Sequence, residues 1–434
     1  MTLIETMERK AALEHAGGSS VRDLAGRARA AASKLSTLRP DVKNNALRAM
    51  ADAFVANREA IKAENEKDVS AGRAKGLSSA MLDRLILTDK RIDAMADGLR
   101  QVAQLDDPIG EIYDMKTRPN GLRVGRMRVP IGVIGFIYES RPNVTADAGA
   151  LCVKSGNAIV LRGGSEAIHS NRILARLMDE AGAAGGLPPD AIKLVQTTDR
   201  TAVNEMLKLN GLIDLIIPRG GKSLIEMVMR ESTIPVIKHY DGICHVYVDE
   251  SADLDIAERV VVNSKCQRPG VCNAAESLIV HRAVADEFLP RVGKALAANG
   301  VEMRADARAL PLLPKEKSRS ATDEDFTTEF LDLIMAVGVV DSTDDAVDWI
   351  NTHGSRHTES IVTRNQTSEW KFISGVDSAC VHVNTSTRFS DGGEYGMGCE
   401  IGISTEKLHA RGPMGLKELT TSKFVVFGEG QIRE

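Results

Sequence analysis

The sequence predicts an α/β fold made of two parallel-sheet domains with a protruding hairpin. Beyond residue 132, short β-branched runs alternate with amphipathic helical stretches, the pattern of a parallel sheet covered by helices on both faces. The alternation resumes after residue 249 with its own strands and helices, so a second α/β domain is expected to begin there. At about 150 residues per domain, a chain of 434 residues suits two or three domains and buries a substantial core.

Residues 20 to about 105 read as helix almost throughout. Leu47, Met50 and Phe54 recur at helical spacing, as do Ile92, Met95, Leu99 and Val102 behind a Thr88 cap. Next, Ile112 to Thr117 and Leu122 to Arg128 read as a hairpin around Pro119-Asn120-Gly121, because Asn-Gly supplies the positive φ angles of a tight primed turn. Its strands are polar and charged, which suits a ribbon that projects and pairs subunits. The runs GVIGFIYE, AIVLRGG, IKLVQT, LIDLIIP and PVIKH follow, with helices beginning near Ser165, Thr198 and Gly221. Ligands of such a sheet sit at the carboxyl ends of its strands. The second set is AESLIVH (275 to 281), AVGVVD, ESIVT and ACVHVNTS (379 to 386), and the tail SKFVVFG (422 to 428) reads as an isolated strand that needs a partner from elsewhere.

Composition excludes several classes. Lys plus Arg total 55 against 60 Asp plus Glu, a net charge of −5, which argues against an electrostatic grip on nucleic acid or anionic membrane. The 43% hydrophobic and 26% charged fractions are those of a globular protein, and 4% aromatic residues leave few rings for stacking on bases. Six cysteines, none in a CxxC spacing, are too sparse for a disulfide framework and fit a reducing, cytoplasmic setting. Glu5, Glu8, Arg9 and Lys10 interrupt any signal-peptide core, and the longest apolar run, Val129 to Tyr138, is about ten residues where a span needs roughly 20.

The motifs narrow the chemistry. No GxGxxG follows any strand. Arg219-Gly220-Gly221-Lys222-Ser223 resembles the end of a P-loop but has Ile216 where the first Gly belongs, so a P-loop kinase is disfavoured. Gly220, Gly221 and Lys222 still offer backbone amides at a helix N-terminus, suited to a phosphate or a nicotinamide edge, or else form a plain turn. Arg162-Gly163-Gly164-Ser165-Glu166 follows a strand and opens a helix, where an open α/β sheet receives a nucleotide. There Arg162 can pair a phosphate and Ser165 can cap the helix; the alternative is an ordinary loop. Cys272 lies in a loop with Arg268, Pro269 and Gly270, a partly exposed cationic setting of the kind a nucleophilic thiol needs, although a lone cysteine is more often a packing residue. Glu394 to Thr405 and His409 to Pro413 form a Gly-rich segment that would close over a site or line a subunit contact. His239 and His245 flank Cys244, but neighbours on one strand point to opposite faces, and no metal site is expected.

Three long strings, VPIGVIGFIYESRPNVTADAGALCVKSGNAIVLRGGSEA, QRPGVCNAAESLIVH and EIGISTEKLHARGPMGLKELTTSKFVVFG, resemble motifs of the aldehyde dehydrogenase superfamily, in the branch that reduces an acyl phosphate. The similarity runs from about residue 110 to 428. It implies NADPH-dependent reduction of L-glutamate 5-phosphate to L-glutamate 5-semialdehyde, with release of phosphate, in proline biosynthesis. It also implies that Cys272 is the nucleophile, forming a thioester. Asn143 is the candidate oxyanion amide, although its surroundings depart from the superfamily's Asn-Phe-Pro. Arg141 and Arg268, by charge, and Asn273, beside the thiol, are assigned to the substrate. The cofactor set is Arg162, Gly163, Gly164, Ser165, Gly220, Gly221 and Lys222. Aldehyde oxidisers carry a water-activating Glu about 30 residues before the Cys; here the stretch from Lys238 to Gly242 has none, only Asp241. By this resemblance, 1–109 and 134–248 with part of 386–410 form a cofactor-binding domain and 249–385 a catalytic domain. Residues 110–133 and 411–434 are assigned to oligomerisation. A homo-oligomer is expected, with a glutamate kinase as candidate partner. An acyl-CoA reductase or aldehyde oxidiser would use the same thiol, and a non-catalytic binding protein would keep the sheets without the activity.

Overall fold

The computed structural model describes residues 20–238 and 240–433, which divide into two compact units. The first is Met1–Lys238, Met397–Gly402 and Met414–Glu434; the second is His239–Gly396 and Ile403–Pro413. The division falls at 238/239, ahead of the expected 248/249. The reason is the strand Cys244–Val248, which pairs with Ala275–His281 and Thr358–Val362 in the middle of the second sheet. Of 386–410, part of which is expected in the first unit, Met397–Gly402 joins it. Among the described residues no helix is long and apolar enough to cross a membrane.

The first unit begins with helices Val21–Leu35, Pro40–Ala56, Arg58–Ala74, Ser79–Leu85 and Asp89–Gln104. The Thr88 side chain accepts from the Arg91 amide, as its sequence position suggests. The stripes Leu47, Met50, Phe54 and Ile92, Met95, Leu99, Val102 are all buried, so these helices are held by their apolar faces. A four-stranded parallel sheet follows, ordered Ile192–Leu194, Ala158–Gly163, Val133–Tyr138, Leu215–Arg219. Its two central strands are buried at every residue, which is why they read as unbroken apolar runs. PVIKH does not form the expected fifth strand: Pro235 and Ile237 bond Ile216 through a single bridge at Val236, and the pairing goes no further.

Ile112–Thr117 and Arg123–Pro130 form the expected antiparallel hairpin. The turn is not the primed two-residue type, however. Among its residues only Gly121 takes a positive φ, 84°, and its amide bonds the Arg118 carbonyl at 2.9 Å, making a longer loop closed by one left-handed glycine. The tail strand is not isolated either. Thr420–Phe427 pairs antiparallel with Arg123–Pro130 along its whole length, making a three-stranded sheet. Arg123 and Arg126 lie over the Phe427 and Phe424 rings, and Arg128 donates to Thr420 Oγ1 at 3.1 Å. Asn157 fastens this tail to the parallel sheet, accepting from Gly132 N and donating to the Leu419 carbonyl, each at 2.8 Å.

The second unit holds a seven-stranded sheet in which every pairing is parallel. The order is Ser318–Ser320, Glu302–Ala305, Ile334–Val340, Ala275–His281, Cys244–Val248, Thr358–Val362, Cys380–Val383. Helices Leu254–Cys266 and Arg282–Ala298 close one face over Val246, Leu278, Val280 and Val337. Tyr247, Ile279 and Ile361 pack on the other face against Ile350 and Phe372. The short pair Ile403–Ser404 and Gly412–Pro413 ends a segment held by Asp377, which takes Lys407 at 2.5 Å and Arg411 at 2.8 Å. These two cations hold the Asp377 carboxyl down to about 2.

Candidate active site

In the second unit, helix Leu254–Cys266 runs into a loop, residues 267–274, that leads directly into the buried strand Ala275–His281. Cys272 therefore lies at the amino edge of a parallel sheet. The amino ends of the adjacent strands converge on it. Cys244 Sγ donates to the Cys272 carbonyl at 3.2 Å and lies 3.6 Å from His357 Nδ1, and Thr358 Oγ1 reaches His357 Nδ1 and Ser390 Oγ, both at 2.9 Å. Gly242 packs on the same peptide so closely that a Cβ there would lie 1.9 Å from the Cys272 carbonyl oxygen. The Gly242 amide donates to Glu329 Oε1 at 2.8 Å.

Burial separates the cysteines. Cys152, Cys244 and Cys380 are buried, whereas Cys266, Cys272 and Cys399 are half-buried. Desolvation pushes the Cys152, Cys244 and Cys266 thiols above the usual thiol range. Arg268 is exposed, and its charge interacts with that of Arg388, which also interacts with the Cys272 sulfur. Burial and Arg268 push the Arg388 guanidinium down while Cys272 pulls it up, and Arg388 Nε is tied to Gln267 Oε1 at 2.8 Å. Asn273 turns away from its neighbour's chemistry: its Nδ2 donates to the Ser390 carbonyl at 2.9 Å, and its buried Oδ1 has no partner. Behind the loop, Lys265 and Glu276 make a fully buried ion pair at 2.6 Å. Burial pushes the Glu276 carboxyl up to about 7, and Lys265 pulls it back. His245 is spoken for, with Nδ1 2.9 Å from Glu359 Oε2 and both side chains buried, while His239 lies outside the described residues. Among the described residues no cluster of three His, Cys, Asp or Glu side chains is arranged to hold a metal ion.

In the first unit, the cofactor candidates gather at the carboxyl ends of Val133–Tyr138, Ala158–Gly163 and Leu215–Arg219, as an open sheet requires. The amides there are not bare. Gly221, the N-cap of helix Lys222–Glu231, donates its N–H to Glu139 Oε2 at 3.0 Å, and a Cβ on Gly220 would lie 2.4 Å from the same oxygen. Glu166 accepts from both the amide and the hydroxyl of Ser140, a residue at positive φ (50°). Ser165 is exposed and makes no capping bond; it opens a short 3-10 turn ahead of helix Ile168–Ala184. A Cβ on Gly163 or Gly164 would lie 2.1 Å from the side-chain end of Asn171 or Glu166, which would have to move aside. Arg162 is buried and donates to the Gly163 and Thr198 carbonyls at 2.9 and 3.1 Å, leaving a buried Nε without a partner. Asn143 opens helix Asn143–Lys154 and donates to Asp147 at 3.0 Å, with half-buried Arg141 in the turn before it. Burial pushes Asp147 up to about 6. Sequence reasoning missed Glu139 and Asp147, although a carboxylate directly after a buried strand end, as in Tyr138-Glu139, is a readable signal.

Residues 5–320 match the aldehyde dehydrogenase family. The gamma-glutamyl phosphate reductase of Halothermothrix orenii is 55% identical over 410 residues, covering 94% of this chain and 98% of that protein. That of Geobacter metallireducens is 55% identical over 414 residues, covering 95% and 99%. The crystal structure of the Thermotoga maritima gamma-glutamyl phosphate reductase superposes with a TM-score of 0.93 at 45% identity, covering 96% of this chain and 100% of that one. The chain belongs to the aldehyde dehydrogenase family and, within it, to the gamma-glutamyl phosphate reductases.

The contact between Gly242 and Cys272 yields a test. Gly242→Ala has to push the Cys272 peptide aside, so turnover is expected to fall at least about tenfold, 1.4 kcal/mol in the transition state. Steady-state kinetics with circular dichroism checks this; a folded variant of unchanged turnover would show that the placement of that peptide is immaterial.

Proposed function

We propose that this oxidoreductase reduces L-glutamate 5-phosphate to L-glutamate 5-semialdehyde with NADPH and releases phosphate, in proline biosynthesis, and that Cys272 is its nucleophile. The observation that carries the reading is the setting of Cys272: a half-buried thiol, with its carbonyl pinned from behind, within electrostatic reach of the Arg388 guanidinium. The activity named for relatives at 55% identity requires such a group.

The Cys272 thiolate attacks the acyl carbon, the carbon–oxygen bond to phosphate breaks, and a thioester to Cys272 remains. Arg268 and Arg388 match the charge of the departing phosphate, and Arg141 is a further candidate for an anionic group of the substrate. For the oxyanion, Asn143 keeps a second amide hydrogen beyond the one given to Asp147. Asn273 serves better as an anchor of the loop through Ser390 than as a substrate ligand. The bound nicotinamide supplies the hydride that reduces the thioester. The carbon–sulfur bond then breaks, the semialdehyde leaves and the thiolate is restored. With Lys238, Asp241 and Gly242 in place of a water-activating Glu, the thioester is kept from hydrolysis.

The first unit fits the cofactor and the second the catalytic thiol. The unmet Nε–H of Arg162, beside Gly163, Gly164 and Ser165, is a donor suited to an anionic oxygen, and no acidic side chain stands at 165 to repel a 2′-phosphate. Gly220, Gly221 and Lys222 receive the cofactor once Glu139 yields the Gly221 amide. The three-stranded sheet of 112–130 and 420–427 is the proposed subunit contact of a homo-oligomer, its outer edge carrying the exposed Phe424. The acyl phosphate has to come from a kinase acting on glutamate, the proposed partner. Six free cysteines suit a cytoplasmic location.

Cys272→Ala is expected to abolish reduction while NADPH still binds, checked by turnover and by quenching of cofactor fluorescence. Retention of more than about a tenth of wild-type activity, a loss under 1.4 kcal/mol, overturns the covalent route. Ser165→Glu is expected to move kcat/KM from NADPH toward NADH by roughly 1 to 3 kcal/mol through like-charge repulsion. An unchanged cofactor ratio means that this turn does not read the 2′-phosphate.

A further inference from the structure

Two charges lie where the packing of helix and sheet calls for apolar residues. Lys265, in the last turn of helix Leu254–Cys266, and Glu276, second residue of the strand Ala275–His281, are 0% and 1% exposed and bond at 2.6 Å. They bracket the Cys272 loop, one at each end. A buried pair of this kind is a poor source of stability, because taking both ions out of water offsets their attraction and an apolar pair of similar volume often holds a fold as well. Its geometry does something an apolar pair cannot do. Glu276 uses its second oxygen, Oε1, to accept the Leu331 amide at 3.3 Å. Leu331 has φ 54°, a left-handed conformation costly for a branched residue, and leaves its side chain 45% exposed. Its carbonyl faces the middle of the Cys272 loop, 3.7 Å from where a Cβ of Gly270 would lie. Two residues earlier, Glu329 holds the amide of Gly242, the residue pressed against the Cys272 carbonyl.

We infer that Lys265 and Glu276 are positioning residues for the nucleophile: their ion pair closes the Cys272 loop and, through the Leu331 turn, fixes where the thiol stands. The inference rests on Cys272 being the nucleophile. A displacement of about 1 Å at a reacting atom costs on the order of 100-fold in rate, so a loop held by a directed ion pair and a strained turn has a kinetic reason to be built this way.

The double variant Lys265→Met/Glu276→Leu separates positioning from stability. It is expected to keep the thermal midpoint of the wild type or exceed it, to lower kcat by about tenfold or more, to leave KM for the cofactor within about twofold, and to change the rate of iodoacetamide alkylation at Cys272. Glu276→Gln keeps an oxygen for the Leu331 amide and is expected to retain more activity than Glu276→Leu; this ordering is also the measure should the double variant not fold. A folded double variant with kcat and alkylation rate within about twofold of wild type overturns the inference, as does equal activity of Glu276→Gln and Glu276→Leu. Cys272→Ala in the same assay keeps the two failures apart. If it is inactive while the double variant is fully active, only the positioning role falls; if it is active, the nucleophile itself is wrong.

Discussion

Because all seven strands of the second sheet run parallel, their amino ends line one edge, and the residues around Cys272 arrive there from strands far apart in sequence. Cys244, Thr358 and the loop ahead of Ala275 meet for that reason alone. Open parallel sheets commonly receive ligands at the opposite, carboxyl edge. Gly163, Arg219 and Glu139 stand at that carboxyl edge in the first unit, whereas Cys272 stands at the amino edge in the second. A thiol at an amino edge cannot draw its position from a preceding strand, so the loop has to be fixed by its neighbours: Gly242 against the carbonyl, Asn273 against Ser390, and the buried pair behind.

In the first unit the same economy of backbone donors appears with a different consequence. Amides that a nucleotide would use are held by the chain's own carboxylates, Glu139 on Gly221 and Glu166 on Ser140. A carboxylate on the N-terminus of a helix is a favourable arrangement, so these amides are satisfied without a ligand. An anion binding at the Gly221 amide would have to displace Glu139.

Much of this was legible in the sequence. The helical stripes, the hairpin, most strands and the loop position of Cys272 follow from periodicity and turn chemistry, because each depends on neighbours within a few residues. What escaped depends on distant partners. Cys244–Val248 is as apolar as any strand of the first sheet, and only its pairing with Ala275–His281 and Thr358–Val362 shows to which domain it belongs. SKFVVFG looks partnerless until the chain returns to Arg123–Pro130, with Thr420 bonded to Arg128 across 292 residues. At the site, the sequence marks Cys272 and Arg268, but Arg388, Glu329 and Leu331 reach that loop only through the fold. Lys265 and Glu276 were readable in principle, as charges set in otherwise apolar stretches on either side of one loop. The bond from Asn143 to Asp147, one helical turn on, was readable from their spacing.

A thioester on Cys272 in the proposed reaction is discharged in the reverse direction by phosphate and not by water. Its most direct measurement is NADPH formation from L-glutamate 5-semialdehyde and NADP+ with phosphate left out. The account predicts a burst of about one NADPH per chain that then stops, with the γ-glutamyl group found by mass spectrometry on the peptide carrying Cys272, and steady turnover when phosphate is added. Continuous NADPH formation without phosphate, or no burst and no adduct on Cys272, would contradict it.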